Sequence, residues 1–248
     1  MRLTVLGGSG GFPAAGGACS GYLIEHAGFR LLVDPGYAIV PRLLELVPAE
    51  GIDAVLVSHG HPDHVADLNP LLRARALRDD PAPRLPAYAL SDALGPVLAL
   101  DQIRALAGTC EVREFQATEA FRVGPFEVAS RPLPHSIPNA GLRISADGHS
   151  ITYTGDAAPS DDLVELADRT SLLLAEATYV ESVPSGNVGA LNCALDVGRQ
   201  ADRAKVDRLM LTHLMPGTDR AASRAAAARS YDGPIDVAVA GVAVDLSP

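Results

Sequence analysis

His59-Gly60-His61-Pro62-Asp63-His64 gathers three of the chain's seven histidines and an aspartate into six residues. His59 and His61 stand two apart on an extended turn, so both rings can face one point. Asp63 and His64 fall at the start of the following helix and can face a second. Imidazole and carboxylate are the ligand types that suit zinc, iron or manganese. The competing explanation is a polar surface loop, but chance rarely draws so dense a cluster from seven histidines. Three further candidates share one kind of position. His59 follows the run DAVLVS, His135 follows VASRPLP, Asp156 follows SITYTG and His213 follows RLMLT. Taken singly, His135 reads equally well as a loop histidine, Asp156 as a Gly-Asp turn and His213 as a neighbour of a helix N-cap. Taken together with the cluster, they place polar residues just past four apolar runs. In a layered α/β fold the ends of such strands converge on one rim, where ligands can be pooled.

The elements that must deliver these residues are legible as alternating β-rich and Ala/Leu-rich runs. Leu3–Leu6 reads as a strand ending in the glycine loop Gly7–Gly11. Gly21–Glu25 and Phe29–Val33 form a hairpin around Ala27-Gly28. A helix is expected over Ala38–Val47, a buried strand over Asp53–Val57, and helices over Asp63–Arg78 and Ser91–Ala107. Strands follow over Glu111–Phe115, Ala120–Val123 and Phe126–Arg131. Leu142–Ser145 and Ser150–Thr154 flank Asp147-Gly148, a two-residue hairpin signal. Asp161–Ala167, Asn192–Ala204 and Ala221–Arg229 read as helices. Leu172–Ala175, Arg208–Thr212, Ile235–Val239 and Val242–Val244 read as strands. Arg78–Pro86 and Tyr179–Gly189 look like long loops. No shift of charge or composition marks a boundary, so one α/β domain over residues 1–248 is expected.

Composition narrows the function. The 248 residues are 48% hydrophobic and 20% charged, which excludes a disordered tail and supplies a sizeable core. Cys19, Cys110 and Cys193 are too few and too scattered for a disulfide scaffold. Aromatics at 4% and the lack of tryptophan argue against a stacking platform for single strands. A net charge of −10 with no basic run disfavours long nucleic acid as a partner. The apolar start is too short for a signal peptide and no stretch could span a membrane, so a cytoplasmic location is expected. The glycine loop does not match the GxxxxGK[ST] phosphate cradle, and a tight turn beneath the metal rim is the better reading. Cys193 reads as a small buried hydrophobe. Tyr37, Ser136 and Asn139 are candidates for pocket lining, whereas Arg131 and Arg143 read as solvated.

HGHPDH resembles the HxHxDH signature of the metallo-β-lactamase superfamily. The later His135, the Gly155-Asp156 turn and Thr212-His213 match that family's remaining ligand motifs in order, and the likeness covers nearly the whole chain. It implies a four-layer αββα sandwich with two divalent metals at one edge, zinc first, with manganese or iron as alternatives. By the same resemblance His59, His61 and His135 hold the first metal. Asp63, His64 and His213 hold the second, and Asp156 bridges. Asp34 and Glu176 stand behind the ligands; a ligating ring must donate its other N–H to something. No cysteine occupies a ligand position, unlike the antibiotic-hydrolysing branch. The start LTVLGGSGGFP, the hairpin into VDPG, the stretch Leu174-Ala175-Glu176-Ala177-Thr178 and RLMLTHLMP are similar to the ribonuclease Z-like and short bacterial phosphodiesterase branch, where homodimers are common.

Two departures from that branch matter. The basic arm that grips tRNA is not recognisable, and two divalent ions would still leave the chain negative. Ala190 stands where the branch carries a histidine that serves the departing oxygen. The expected function is a dinuclear metal phosphodiesterase on a small substrate, a cyclic nucleotide among the candidates. Bridging hydroxide is its nucleophile, and Asp63 and Asp156 are the carboxylates on which catalysis turns. Tyr179, Ser182 or Asn192 would have to supply the missing donor. A thioester, lactone or ester hydrolase or cyclase, which needs no such donor, is the alternative. A metal-binding protein without catalysis is the third reading.

Overall fold

The computed structural model describes residues 1–101, 106 and 108–246. Its elements run β1 (Arg2–Gly7), β2 (Gly21–His26), β3 (Phe29–Val33), α1 (Val40–Leu46), β4 (Ala54–Leu56), α2 (Pro62–Val65), α3 (Leu68–Ala76), β5 (Leu85–Ala89), α4 (Gly95–Leu98) and β6 (Cys110–Glu114). After these come β7 (Ala120–Val123), β8 (Phe126–Pro132), β9 (Ala140–Ala146), β10 (His149–Tyr153), α5 (Asp161–Leu166), β11 (Leu172–Glu176), α6 (Ala194–Ala204), β12 (Leu209–Thr212), α7 (Arg220–Ala227), β13 (Ile235–Val237) and β14 (Ala243–Asp245). They build two seven-stranded sheets, in the orders β14-β1-β2-β3-β4-β5-β6 and β13-β12-β11-β10-β9-β8-β7.

Strand periodicity decides the layering. On β1 Leu3 and Val5 face the other sheet while Leu6 faces helices; on β3 Leu31 and Val33 point inward and Leu32 outward. The second sheet mirrors this, with Leu172 and Leu174 inward and Leu173 outward. Both faces of these strands are therefore apolar, as expected for sheets covered on both sides. One core fills the space between the sheets. A second lies beneath α1, α3 and α4, through Leu43, Leu71 and Val97. A third lies beneath α5, α6 and α7, through Leu163, Val197 and Ala226. The result is the expected αββα order of layers.

Two expectations fail for identifiable reasons. The single helix over Asp63–Arg78 is two, broken at Ala66-Asp67. Pro70 has no N–H to give to Ala66, and its ring would clash there in a continuous helix. Restarting at Leu68 puts Pro70 in a first turn, and Asp67 is freed to accept the Val40 N–H at 2.8 Å. The strand β5 lies where the end of a loop was expected. Pro86 disguises it, but β4 pairs only with Ala87 and Tyr88, so at Pro86 the strand is bonded on one side alone. Of the helix expected over Ser91–Ala107, Gly95–Leu98 is seen, and residues 102–105 and 107 lie outside the described residues. Asn192 falls outside its expected helix, which starts at Ala194.

The two sheets are registered to each other at one rim. The Tyr22 and Thr212 hydroxyls lie 2.6 Å apart across the sandwich, and the Tyr153 hydroxyl donates to Asp34 at 2.8 Å. The Ala140 N–H donates to the Ser58 carbonyl at 3.1 Å. Strands β3, β4, β10, β11 and β12 all end here, each in a parallel pair.

Candidate metal centre

All seven predicted ligand residues meet at this rim, with Asp34 behind them. His59 and His64 are fully buried, and Asp63, Asp156 and His213 nearly so. One group is His59, His61, His135 and Asp156; another is Asp63, His64, Asp156 and His213. Within each group the donor atoms lie no more than 4.8 Å apart. In the first, Nε2 of His59 and of His135 each lie 3.1 Å from Nδ1 of His61, and each 3.9 Å from Oδ2 of Asp156. In the second, Nε2 of His64 and of His213 each lie 3.3 Å from Oδ1 of Asp156. Oδ2 of Asp63 completes it, 3.5 Å from His64 and 3.2 Å from His213. Asp156 thus gives one oxygen to each group.

These separations fit a divalent ion. Four ligands placed tetrahedrally about 2.1 Å from an ion stand about 3.4 Å from one another. The donor set of imidazole and carboxylate suits such ions. Nε2 of His64 and Oδ1 of Asp156 are also buried without a hydrogen-bond partner, a costly state that an ion between them would relieve.

The rings are aimed by what holds their other nitrogen. His64 Nδ1–H donates to Asp34 at 2.7 Å. His59 Nδ1–H donates to Ser58 Oγ at 3.0 Å, and that hydroxyl donates in turn to Asp34 at 2.6 Å. His135 Nδ1–H donates to the Ala190 carbonyl at 2.8 Å, and His213 Nδ1–H to Thr178 Oγ1 at 3.0 Å. A carbonyl only accepts, so Nε2 of His135 is left with its lone pair facing inward. Thr178 passes its own hydrogen to Glu176, which also accepts the N–H groups of Thr178 and Asn192. Ser58, Tyr153, Thr178 and the Ala190 carbonyl were not foreseen. Ser58 adjoins His59, and the Tyr and Thr interrupt apolar runs at strand ends, which is the signal that could have marked them.

Electrostatics follow from burial and crowding. Burial alone would push Asp63 and Asp156 upward, but a hydrogen bond from His213 to Asp63 and the charges of His213 and His64 hold both carboxyls well below their ordinary range. His64 and His213 are raised: burial opposes their charge, and Asp156 above all outweighs it. His59 is pushed well down by burial and the His64 charge. Burial and the Asp156 charge lift Glu176 to about 7.

The glycine loop is the turn beneath the rim. Its N–H groups go to Ala18 and Leu214 carbonyls and, from Gly11, to Oδ2 of Asp63 at 2.9 Å. Asn139 braces the Asp156 turn by donating to the Thr154 carbonyl at 3.0 Å. Gly155 in that turn has φ +57°, and a Cβ there would sit 2.3 Å from Asn139 Oδ1 and 2.8 Å from Ser58 Oγ. Gly155→Ala is expected to cost about 1–3 kcal/mol in chemical denaturation, from overpacking and left-handed strain together.

The residues expected to line the substrate space divide. Ser136 Oγ lies 3.4 Å from His135 Nε2. Tyr179 is half-buried and its hydroxyl accepts from Asn187 at 2.5 Å; Ser182 is exposed. The Asn192 side chain is turned away, donating to Gln200 at 3.0 Å and accepting the Cys193 N–H at 2.9 Å. Ala190 offers the site its carbonyl and no side-chain donor.

Comparison with known proteins agrees with this geometry. Residues 29–214 match the family described as Beta-lactamase superfamily domain. The probable metallo-hydrolase YhfI of Bacillus subtilis is 31% identical over 246 residues, covering 97% of this chain and 98% of its own. Its crystal structure superposes with a TM-score of 0.89 over 98% of this chain and 99% of that one. The human short-form tRNase Z (18% identity, TM-score 0.79, all of both chains) and a diphosphatase of the PhnP family (19%, 0.76, 99% and 98%) share the fold. A rim of histidines and aspartates on an αββα sandwich, with relatives that match it nearly end to end, makes the chain a metallo-hydrolase of the metallo-β-lactamase superfamily.

Proposed function

We propose that the chain holds two divalent ions, zinc before manganese or iron, and hydrolyses a phosphodiester of a small molecule, a cyclic nucleotide among the candidates. The observation that carries this is Asp156, whose two oxygens face two separate groups of histidines. His59, His61 and His135 would hold one ion, Asp63, His64 and His213 the other. A bound pair of such ions ionises water near neutral pH and neutralises charge growing on the substrate. The chain's own part is to fix the ligand rings, through Asp34, Ser58, Thr178 and Ala190, and to keep the rim dry. The acidic surface, with its net charge of −10, favours a small substrate over tRNA. The free cysteines suit a reducing cytoplasm, and among the described residues no helix is long and apolar enough to cross a membrane.

A second reading, a thioester, lactone or ester hydrolase, draws on Ala190 and on the committed Asn192 side chain, which leave little to protonate a poor leaving group. Elemental analysis of the purified protein, followed by turnover of cyclic nucleotides and of a thioester panel, separates the two. Phosphodiester turnover with about two ions per chain supports the first. Thioester turnover alone supports the second, and inertness to both substrates sinks hydrolysis of either kind.

Metal loading should be pH-linked with a definite sign. His64 and His213 are raised by Asp156, so without an ion they hold their protons to higher pH than an ordinary histidine, and an entering ion must displace those protons. Affinity for that ion is expected to rise with pH, about tenfold per unit for each proton released. Calorimetric titrations in buffers of different ionisation enthalpy count the protons.

A further inference from the structure

Behind the glycine loop lies a cavity of about 210 Å³, and none of the seven candidate ligands lines it. Its walls come from residues 7–9, 14–18, 214–218 and 237–240, with Arg42 and Arg220. No aspartate or glutamate lines it. Elsewhere Arg73 pairs with Asp101, Arg131 with Asp162 and Glu165, and Arg208 with Asp236, while Arg75 and Arg143 donate to two or more carbonyls each. Arg42 is half-buried and spends two N–H groups on the Leu6 and Gly16 carbonyls, leaving three of its donors free. The Arg220 side chain makes no ion pair or hydrogen bond among the described residues. Its neighbour Asp219 accepts the N–H groups of Ala221 and Ala222 through Oδ1 and does not line the cavity. The hydroxyl-bearing residues Ser9 and Thr218 complete the polar wall.

We propose that this cavity binds a phosphate dianion, either free or as the end of a phosphomonoester. Two guanidinium groups without carboxylate partners are the arrangement that phosphate oxygens satisfy through charge-assisted hydrogen bonds. Of the loop residues in the wall, Ser9 has already spent its N–H on the Ala18 carbonyl, so the two arginines are the charged donors the cavity offers. That wall adjoins the metal rim: Leu214, which lines the cavity, follows His213, and its N–H donates to the Gly8 carbonyl at 3.2 Å. An occupant therefore bears on the peptides of Gly8 and Leu214, next to His213.

The test is equilibrium binding of inorganic phosphate, and in parallel of adenosine monophosphate, to metal-loaded and to chelator-treated protein. Arg220→Gln is the main variant, since this exposed side chain holds nothing in the fold. Chelator-treated wild type is expected to bind one equivalent with affinity that falls as salt rises. R220Q should bind at least tenfold more weakly at unchanged metal content. Tighter binding of the nucleotide than of phosphate identifies a monoester site, and the reverse a free-phosphate site. Equal binding by R220Q and wild type, or no phosphate bound by the chelator-treated wild type, overturns the proposal. The chelator-treated arm makes the outcome independent of the metal-centre reading. If that form unfolds, the metal-loaded arm decides: one equivalent fewer in R220Q supports the site, and equal stoichiometry rejects it.

Discussion

Asp156→Ala is expected to lower kcat/KM at least about a thousandfold and to strip the protein of most of its metal. The size of the effect follows from position. Asp156 is the one side chain that belongs to both donor groups, with Oδ1 3.3 Å from His64 and His213 and Oδ2 3.9 Å from His59 and His135. Removing any histidine weakens one group, whereas removing Asp156 takes a ligand from both. It also removes the charge that first raises His64 and His213. Asp156→Asn separates chemistry from packing. The amide fills the same buried space, but its NH2 group offers no lone pair to an ion, so metal and turnover should fall while the fold persists. Elemental analysis beside turnover and a thermal melt reads all three. Either variant retaining two ions and wild-type turnover would remove Asp156 from the centre and leave the two groups without a link.

The chemistry of this chain was more legible than its scaffold, and the reason is physical. Ligand residues are drawn from a short set, His, Asp, Glu and Cys, so HGHPDH stands out in letters alone, and His135, Asp156 and His213 stand out by lying just past apolar runs. The structure brings all of them to one rim. Regular alternation gave the hairpins and the central strands for the same reason: one-residue slips would turn buried Leu and Val outward. What stayed hidden depends on partners distant in sequence. Pro86 argues against a strand unless it is known that β4 stops short of it. The aiming of His135 depends on a backbone carbonyl 55 residues away, which no side-chain type announces. The acceptor for His213 is a threonine, ordinary in a strand-rich run, that matters only because Glu176 lies behind it. The cavity lined by Arg42 and Arg220 was invisible for a similar reason, since its walls come from four separate stretches of chain.

Asp34 carries the second large prediction, and it concerns the support beneath the ligands. This carboxylate is fully buried and accepts four hydrogen bonds: from the Ser58 N–H at 2.7 Å, Ser58 Oγ at 2.6 Å, Tyr153 at 2.8 Å and His64 Nδ1 at 2.7 Å. Asp34→Ala strands those donors in a dry interior and removes the charge facing His64, a loss of about 3–5 kcal/mol of stability. It also puts alanine at φ +47°, which costs about 1 kcal/mol more. Asp34→Asn avoids that strain, because asparagine tolerates the left-handed region, and isolates the electrostatic part. Its amide can accept with one atom only, so either the Ser58 N–H, on Oδ1, or the trio of Ser58 Oγ, His64 and Tyr153, on Oδ2, loses its acceptor. Without an acceptor at Nδ1, His64 can move its hydrogen to Nε2 and so lose the lone pair meant for the ion. Metal affinity in Asp34→Asn is therefore expected to fall about 10–100-fold, with a smaller loss of stability than in the alanine variant. Denaturation in chelator reads the stability, and titration of the folded protein with metal reads the affinity. Wild-type metal affinity in Asp34→Asn would mean that the His64 ring is held by packing alone, and the hydrogen-bonded base beneath the centre would lose its assigned role.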